Sequence, residues 1–273
     1  MAALPSGFLF SQSSLQDYSD CPRRFQLRYL RRCTWPAVQT EPLLAAERHM
    51  ERGHAFHRLA HQRHLGLDEA LLREAAQGAG LQDWWQNLLT DGPADLPAAH
   101  YAECSLAVPL AGQALIAKYD LVAAEPGRLV IVDWKTSLRR ASRASLQARL
   151  QTHVYPYILS RAGPALTGLP VEPGQVEMRY WFAEFPDQPE AFRYSPEQHD
   201  QDAARLVGLI EEIAACPDDG FSQASDERRC RYCVYRSLCE REAAAGAYDE
   251  DEGDLDDEAE IVIDLQQVAE IAY

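Results

Sequence analysis

The segment LIAKYDLVAAEPGRLVIVDWKTS, residues 115–137, is the most informative part of the chain. Two apolar runs flank Glu125-Pro126-Gly127, and this pattern predicts a hairpin of two antiparallel strands. Because the turn is short, Asp120 on the first strand and Asp133 at the end of the second should meet at one edge of the sheet. Carboxylate oxygens are the ligands that Mg²⁺ and Mn²⁺ prefer. The hairpin therefore predicts a metal site at that edge.

Outward from the hairpin, the hydrophobic period changes between strand-like and helix-like segments. Residues 100–109 predict a strand that completes a three-stranded meander, and residues 175–183 predict a fourth strand. Helical periodicity covers residues 11–32 (with a break near Pro22), 43–65, 68–78, 81–90, 142–161 and 197–215. This order predicts an α/β domain whose mixed sheet is flanked by helices.

Composition excludes several classes of protein. The chain has 273 residues, of which 47% are hydrophobic and 9% aromatic, and this content excludes wholesale disorder. No apolar run approaches the roughly 20 residues of a membrane span, and the start lacks a secretory signal. We therefore expect a soluble, cytoplasmic protein with no membrane partner.

The formal net charge of −16 is concentrated at one end of the chain. Residues 244–273 carry eleven of the 42 acids and no Lys or Arg, so the body keeps 31 acids against 26 bases. We expect this segment to be a disordered acidic tail that serves solubility, mimics DNA as a plug, or docks a partner. Because the rest of the chain is close to neutral, its charge does not exclude nucleic acid as a partner.

The basic residues show two patterns. Arginines gather in residues 23–32 and 139–149, and they either cover solvated helix faces or follow a phosphate backbone. Of the 26 Lys and Arg residues, 24 are Arg, and Lys occurs only at positions 118 and 135. Lys135 shares a strand face with Asp133, where it either orients a water near a phosphate or is simply solvated.

Other polar side chains could reach the same edge. One face of the second helix carries four histidines, His54, His57, His61 and His64. One imidazole could complete a metal site, and the others are expected to be ordinary core or surface histidines. Gln151 and Tyr155 lie one helical turn apart after the last strand of the meander. They either donate hydrogen bonds toward the sheet edge or belong to an ordinary amphipathic helix.

Seven cysteines argue against a disulfide framework, because the number is odd and no secretory signal is present. The spacing Cys230-x₂-Cys233-x₅-Cys239 predicts a metal centre with three local thiolates. Cys21 is the best candidate for the fourth ligand. Cys33, Cys104 and Cys216 are expected to be buried thiols, with Cys33 as the reserve ligand. Zinc and an iron–sulfur cluster both fit this spacing.

Five segments resemble, in order, the PD-(D/E)XK nuclease superfamily in its RecB-like branch, which carries a 4Fe-4S cluster. They are SSLQDYSDCPRRFQLRYL (13–30), RGHAFH (52–57), AKYDLV (117–122), VIVDWKTS with LQTHVY (130–137 and 150–155) and CRYCVYRSLC (230–239). The resemblance implies a restriction-endonuclease-like αβββαβ core in residues 1–243, with residues 66–98 as a helical insertion.

The resemblance also implies roles for individual residues. The Mg²⁺ or Mn²⁺ ligands would be His57, Asp120, Asp133 and the backbone carbonyl of Trp134. Lys135 would be the catalytic lysine, accompanied by Gln151 and Tyr155. The 4Fe-4S ligands would be Cys21, Cys230, Cys233 and Cys239, so that the cluster staples the termini of the domain together.

The activity implied is metal-dependent hydrolysis of DNA phosphodiester bonds by an exonuclease that acts on single strands or ends, in DNA repair, recombination or CRISPR adaptation. No G-x-x-x-x-G-K-[ST] motif occurs, so a helicase partner would be a separate protein. The alternatives are a non-catalytic subunit that binds DNA ends, and a zinc-stapled scaffold with no role in nucleic-acid chemistry.

Overall fold

The computed structural model describes residues 4–33, 41–231 and 233–239, and the predicted acidic tail lies outside them. The helices are α1 (Gln12–Asp20), α2 (Pro22–Phe25), α3 (Glu41–His64), α4 (Glu69–Gly78), α5 (Gln82–Asp91), α6 (Arg143–Ala148), α7 (Leu150–Thr167) and α8 (Pro196–Ala215). The strands are β1 (Leu9–Ser11), β2 (Ala99–Leu110), β3 (Gln113–Glu125), β4 (Arg128–Lys135), β5 (Val176–Phe182) and β6 (Glu190–Arg193). A π-helical turn, Gln26–Leu30, follows α2.

The strands form one mixed sheet with β3 at its centre. Strand β2 pairs antiparallel with β3 along its whole length. The other side of β3 is shared by β1, which runs parallel near the start of β3, and by β4, which runs antiparallel near its end. Strand β5 lies parallel to β4, and β6 closes the edge antiparallel to β5. This mixed sheet confirms the predicted α/β class and fits a restriction-endonuclease-like core.

Two hydrophobic clusters cover the two faces of the sheet. One, which we call the α7 cluster, packs α1, α7 and α8 against the sheet through residues such as Leu15, Ile158 and Leu206. The other, the α3 cluster, packs α3, α4 and α5 against the opposite face through residues such as Phe56 and Trp84. The sheet is therefore buried on both faces, which agrees with the near-continuous apolar run in β4.

The β2–β3 pair exchanges faces at Glu103 and Asp120, which lie opposite each other in the register. Ala102 packs against the α3 cluster, whereas Cys104, two residues later, packs against the α7 cluster. In a regular strand two such residues share a face. Glu103 has a left-handed backbone with φ of 53°, and this conformation resets the alternation.

Three features differ from the prediction. Strands β1 and β6 were not predicted because they contain three and four residues, too few to show a period. The helix predicted over residues 142–161 is divided by an extended residue, Arg149, into α6 and α7. Cys33, Cys104 and Cys216 are partly rather than fully buried. Among the described helices, none has the length and apolar character needed to cross a membrane.

Candidate active site

The first contact of the site joins helix α3 to strand β3. His57 follows Phe56, which is fully buried in the α3 cluster and holds this turn of the helix against the sheet. The imidazole Nδ1 of His57 lies 3.0 Å from Oδ1 of Asp120. Of the four histidines predicted on this face, His57 is therefore the one that reaches a site carboxylate. His54 is exposed.

A second contact joins β3 to β4. The backbone N–H of Trp134 donates a 2.9 Å hydrogen bond to Oδ2 of Asp120. The antiparallel register pairs Leu121 with Val132, so the next position along places Asp120 across from Asp133. The structure thus brings the two aspartates to neighbouring positions on adjacent strands.

These contacts set the charge state of Asp120. Burial acts to raise its pKa, but the charge and hydrogen bond of His57, the Trp134 N–H and the charge of Lys135 act in the other direction. The net effect lowers the pKa of Asp120 below its ordinary value. Asp120 is therefore an anion at neutral pH and can serve as a cation ligand.

Asp133 forms a buried triad with Lys135 and Gln151. Oδ2 of Asp133 lies 2.9 Å from Nζ of Lys135, and Oδ1 accepts a 2.6 Å hydrogen bond from Nε2 of Gln151. The three residues are only 4%, 2% and 2% exposed, respectively. Burial of both charges is tolerated because they are paired and hydrogen-bonded. Oε1 of Gln151 is buried and accepts no hydrogen bond from the described part of the chain.

An aromatic ring supports the lysine of this triad. Nζ of Lys135 lies 5.7 Å from the ring centroid of Tyr180, within the range of a cation–π interaction. The Tyr180 hydroxyl is hydrogen-bonded to Oγ1 of Thr152 at 2.7 Å, and Oγ1 of Thr152 donates to the carbonyl of Leu146 at 2.5 Å. Strand β5 and the start of α7 are thereby tied together beside Lys135.

Glu103 is a site residue that the sequence analysis missed. One ligand atom from each of His57, Glu103 and Asp120 lies within 4.8 Å of the other two. Oε2 of Glu103 lies 2.5 Å from Nζ of Lys118. The scarcity of lysine was the available signal, because both lysines of the chain contact carboxylates of this site.

The donor set fits a divalent cation. His57, Glu103 and Asp120 offer one imidazole nitrogen and two carboxylates, and hard cations of the Mg²⁺ and Mn²⁺ type prefer such oxygen-rich sets. Asp133 stands next to this group through the Trp134 N–H bond to Asp120. The predicted ligand role of the Trp134 carbonyl stays a prediction, because the contact described above is made by the N–H of Trp134 and not by its carbonyl.

Other predicted residues have different surroundings. Tyr155 packs against Tyr119, whose hydroxyl donates a 2.9 Å hydrogen bond to the Tyr155 carbonyl. His64 lies against the rings of His100 and Trp134 at 5.1 and 6.4 Å. Burial lowers the pKa of His64 to about 4, assisted by the neighbouring charge of His100. His64 is therefore neutral at physiological pH.

The four cysteines predicted to form a metal centre line one cavity. They are Cys21, at the junction of α1 and α2, together with Cys230, Cys233 and Cys239. Cys33 lies outside the residues that line this cavity. Burial raises the pKa of the Cys233 thiol to about 11, and Cys21 and Cys239 act in the same direction. Binding of a metal would therefore require loss of the Cys233 proton.

The arginine-rich segments are largely paired within the chain. Their acidic partners lie in α1, in the loop after α8 and in β6. The pairs are Arg24–Asp17, Arg24–Asp20, Arg28–Asp17, Arg31–Asp218, Arg140–Glu190 and Arg143–Glu190. Any phosphate that binds these arginines would compete with an internal carboxylate.

The chain is similar to one known protein family and to several solved structures. No curated protein sequence matches the chain significantly. The solved structure of SSO0001 is 14% identical over 85% of each chain, with a TM-score of 0.43. That of a candidate exonuclease from Eubacterium rectale is 12% identical over 85% of this chain and 88% of its own, with a TM-score of 0.49. The sequence profile of the PD-(D/E)XK nuclease superfamily matches residues 9–240, and the chain therefore belongs to this superfamily of metal-dependent nucleases.

Proposed function

We propose that this protein is a Mg²⁺- or Mn²⁺-dependent deoxyribonuclease that acts as an exonuclease on single-stranded DNA or DNA ends. The observation that carries the proposal is the hydrogen bond from Trp134 N–H to Asp120, because it joins two groups of residues into one site. One group offers cation ligands, and the other offers a buried lysine beside a carboxylate. Family membership supplies the reaction class, and DNA is the substrate that this class implies.

The cation would be held by His57, Asp120, Asp133 and the Trp134 carbonyl, as the resemblance implies, and by Glu103, which converges with His57 and Asp120. The 3.0 Å contact between His57 and Asp120 and the lowered pKa of Asp120 support these roles. Once bound, such a cation supplies an acidified water and neutralises charge on the scissile phosphate.

Lys135 would orient the attacking water and stabilise charge that develops on the phosphate. Its contacts with Asp133 and with the Tyr180 ring hold the ammonium at the C-terminal end of β4. Gln151 donates to Oδ1 of Asp133, and its buried Oε1 would accept a hydrogen bond from a water within the site. Tyr155, one turn further along α7, would assist in substrate positioning.

The cavity lined by Cys21, Cys230, Cys233 and Cys239 would hold a 4Fe-4S cluster with a structural role. About 210 residues separate Cys21 from Cys230, and a metal centre that joins them restrains a long loop. Arg24 and Arg229 also line the cavity and would offset the negative charge of bound thiolates. The resemblance to RecB-like nucleases supports a place in DNA repair, recombination or CRISPR adaptation, beside a separate helicase.

The test is cleavage of single-stranded DNA, labelled at either the 5′ or the 3′ end, by anaerobically purified protein with Mn²⁺. We expect progressive loss of label for the wild type and for Asp187→Ala, an exposed aspartate on the β5–β6 connection. Asp133→Ala should abolish cleavage. If the wild type binds DNA ends without cutting any labelled substrate, the nuclease proposal is wrong, and a non-catalytic end-binding subunit becomes the better description.

A further inference from the structure

A chain of hydrogen bonds connects the cysteine-lined cavity to the buried triad of the active site. At its centre is Gln16, on α1, whose side chain contacts two separate parts of the structure. Oε1 of Gln16 accepts a 3.0 Å hydrogen bond from the backbone N–H of Leu150, the first residue of α7. Nε2 of Gln16 donates a 3.1 Å hydrogen bond to Oδ1 of Asp20.

On the active-site side, the contact with Leu150 fixes the start of helix α7. The first N–H groups of a helix lack partners within the helix, and residue Arg149 provides no side-chain cap to α7. Gln16 supplies this cap from another element of the fold. The next residue, Gln151, donates to Asp133 at 2.6 Å, so the placement of the helix start determines the placement of the Gln151 amide.

On the other side, Asp20 is tied to the cysteine-lined cavity. It precedes Cys21 and pairs with Arg24 at 3.1 Å and with Arg229, which precedes Cys230. Both arginines line the cavity together with these two cysteines. Binding or loss of a metal centre in the cavity would therefore move Arg24 and Arg229, the partners of Asp20.

We propose that Gln16 is a positioning residue that couples the cysteine-lined cavity to the Gln151–Asp133 pair. It transmits the position of Asp20 to the start of α7 and so sets the orientation of Gln151 at the catalytic carboxylate. This inference rests on the proposed nuclease function of the site, and it assigns no contact between Gln16 and DNA.

The experiment compares Gln16→Ala with the wild type in Mn²⁺-dependent cleavage and in hydrogen exchange. Loss of the part-buried hydrogen bond between Gln16 and the Leu150 N–H should lower kcat about three- to tenfold, with KM for DNA changed by less than about twofold. Peptides that cover residues 143–155 should exchange faster, because the Leu150 N–H loses its acceptor. Gln86→Ala, on the exposed face of α5, is the matched control and should change neither quantity. Gln16→Met, which keeps the side-chain bulk without its polar atoms, gives the same test if Gln16→Ala folds poorly.

Coupling to the cavity is tested by adding Asp20→Ala. If the path runs through Gln16, the double variant loses no more kcat than the more impaired single variant, whereas independent effects would multiply. Metal content is measured for each variant, so that loss of the metal from the cavity is recognised. Unchanged kcat and exchange in Gln16→Ala, or multiplicative losses in the double variant, would overturn the proposal. Absence of cleavage by the wild type would instead refute the nuclease function, and the exchange data would still test the cap on α7.

Discussion

Nζ of Lys118 lies 2.5 Å from Oε2 of Glu103, at the point where strands β2 and β3 exchange faces. Glu103 has a left-handed backbone there, a conformation that non-glycine residues adopt at some cost in energy. The other lysine, Lys135, pairs with Asp133 at 2.9 Å. In a chain that otherwise uses arginine, both compact ammonium groups thus neutralise carboxylates of one site.

The first prediction concerns cation binding by Glu103. Glu103→Gln removes one of three converging ligand groups, and we expect it to weaken Mn²⁺ binding by about tenfold, or about 1.4 kcal/mol. Lys118→Gln should strengthen Mn²⁺ binding severalfold, because a positive charge that repels the cation is removed. Titration calorimetry of the DNA-free protein measures both effects. Glu125→Gln, at the exposed end of β3, is the control, and equal affinities in all four proteins would exclude Glu103 as a ligand.

The second prediction separates chemistry from binding at Lys135. Lys135→Met keeps the length of the side chain but removes its charge from beside Asp133. We expect kcat to fall at least about 100-fold, as for loss of a group that stabilises transition-state charge. The affinity for DNA in Ca²⁺ should change little, because Lys135 is buried at the end of β4 and is not one of the exposed cations. Wild-type turnover by Lys135→Met would remove this lysine from the mechanism.

Much of the site could be predicted from sequence because its signals are local. The β3–β4 hairpin has a period and a turn motif, and these place Asp120, Asp133 and Lys135 at one edge without further knowledge. The sequence indicated that Gln151 could donate toward this edge, but it did not predict the contact of Gln151 with Asp133. Its geometry depends on where α7 begins, which Gln16 determines from another part of the chain.

Long-range features escaped the sequence analysis for physical reasons. A glutamate with a left-handed backbone inside a strand has no recognisable local pattern, so Glu103 was missed. The pairing of the arginines in residues 23–32 was not predicted. Asp17 and Asp20 of α1 pair with Arg24 and Arg28, and Asp218 pairs with Arg31 from 187 positions away. Net charge in a window of sequence cannot reveal such pairs.

The third prediction concerns the cysteine-lined cavity. Anaerobically purified protein should contain about four iron atoms per chain and absorb visible light if a 4Fe-4S cluster is present. Cys233→Ser should lose most of the iron, whereas Cys33→Ser and Cys104→Ser, which lie outside the cavity, should keep it. Metal analysis by mass spectrometry with visible spectra provides the measurement. One zinc per chain would replace the cluster proposal, and loss of metal in Cys33→Ser would make Cys33 a ligand.

The last prediction concerns acid stability and His64. Burial lowers the pKa of this imidazole to about 4 in the folded protein, against about 6.5 in an unfolded chain. Between these values the unfolded state binds more protons, so the free energy of unfolding falls as pH is lowered from about 6.5 toward 4. His64→Phe keeps a ring against Trp134 without a titrating group, and its urea midpoint should therefore fall less between pH 7 and pH 4.5 than that of the wild type. His54→Phe, at an exposed position of the same helix, should behave as the wild type. Equal losses of stability in all three proteins would show that protonation of His64 does not contribute to acid unfolding.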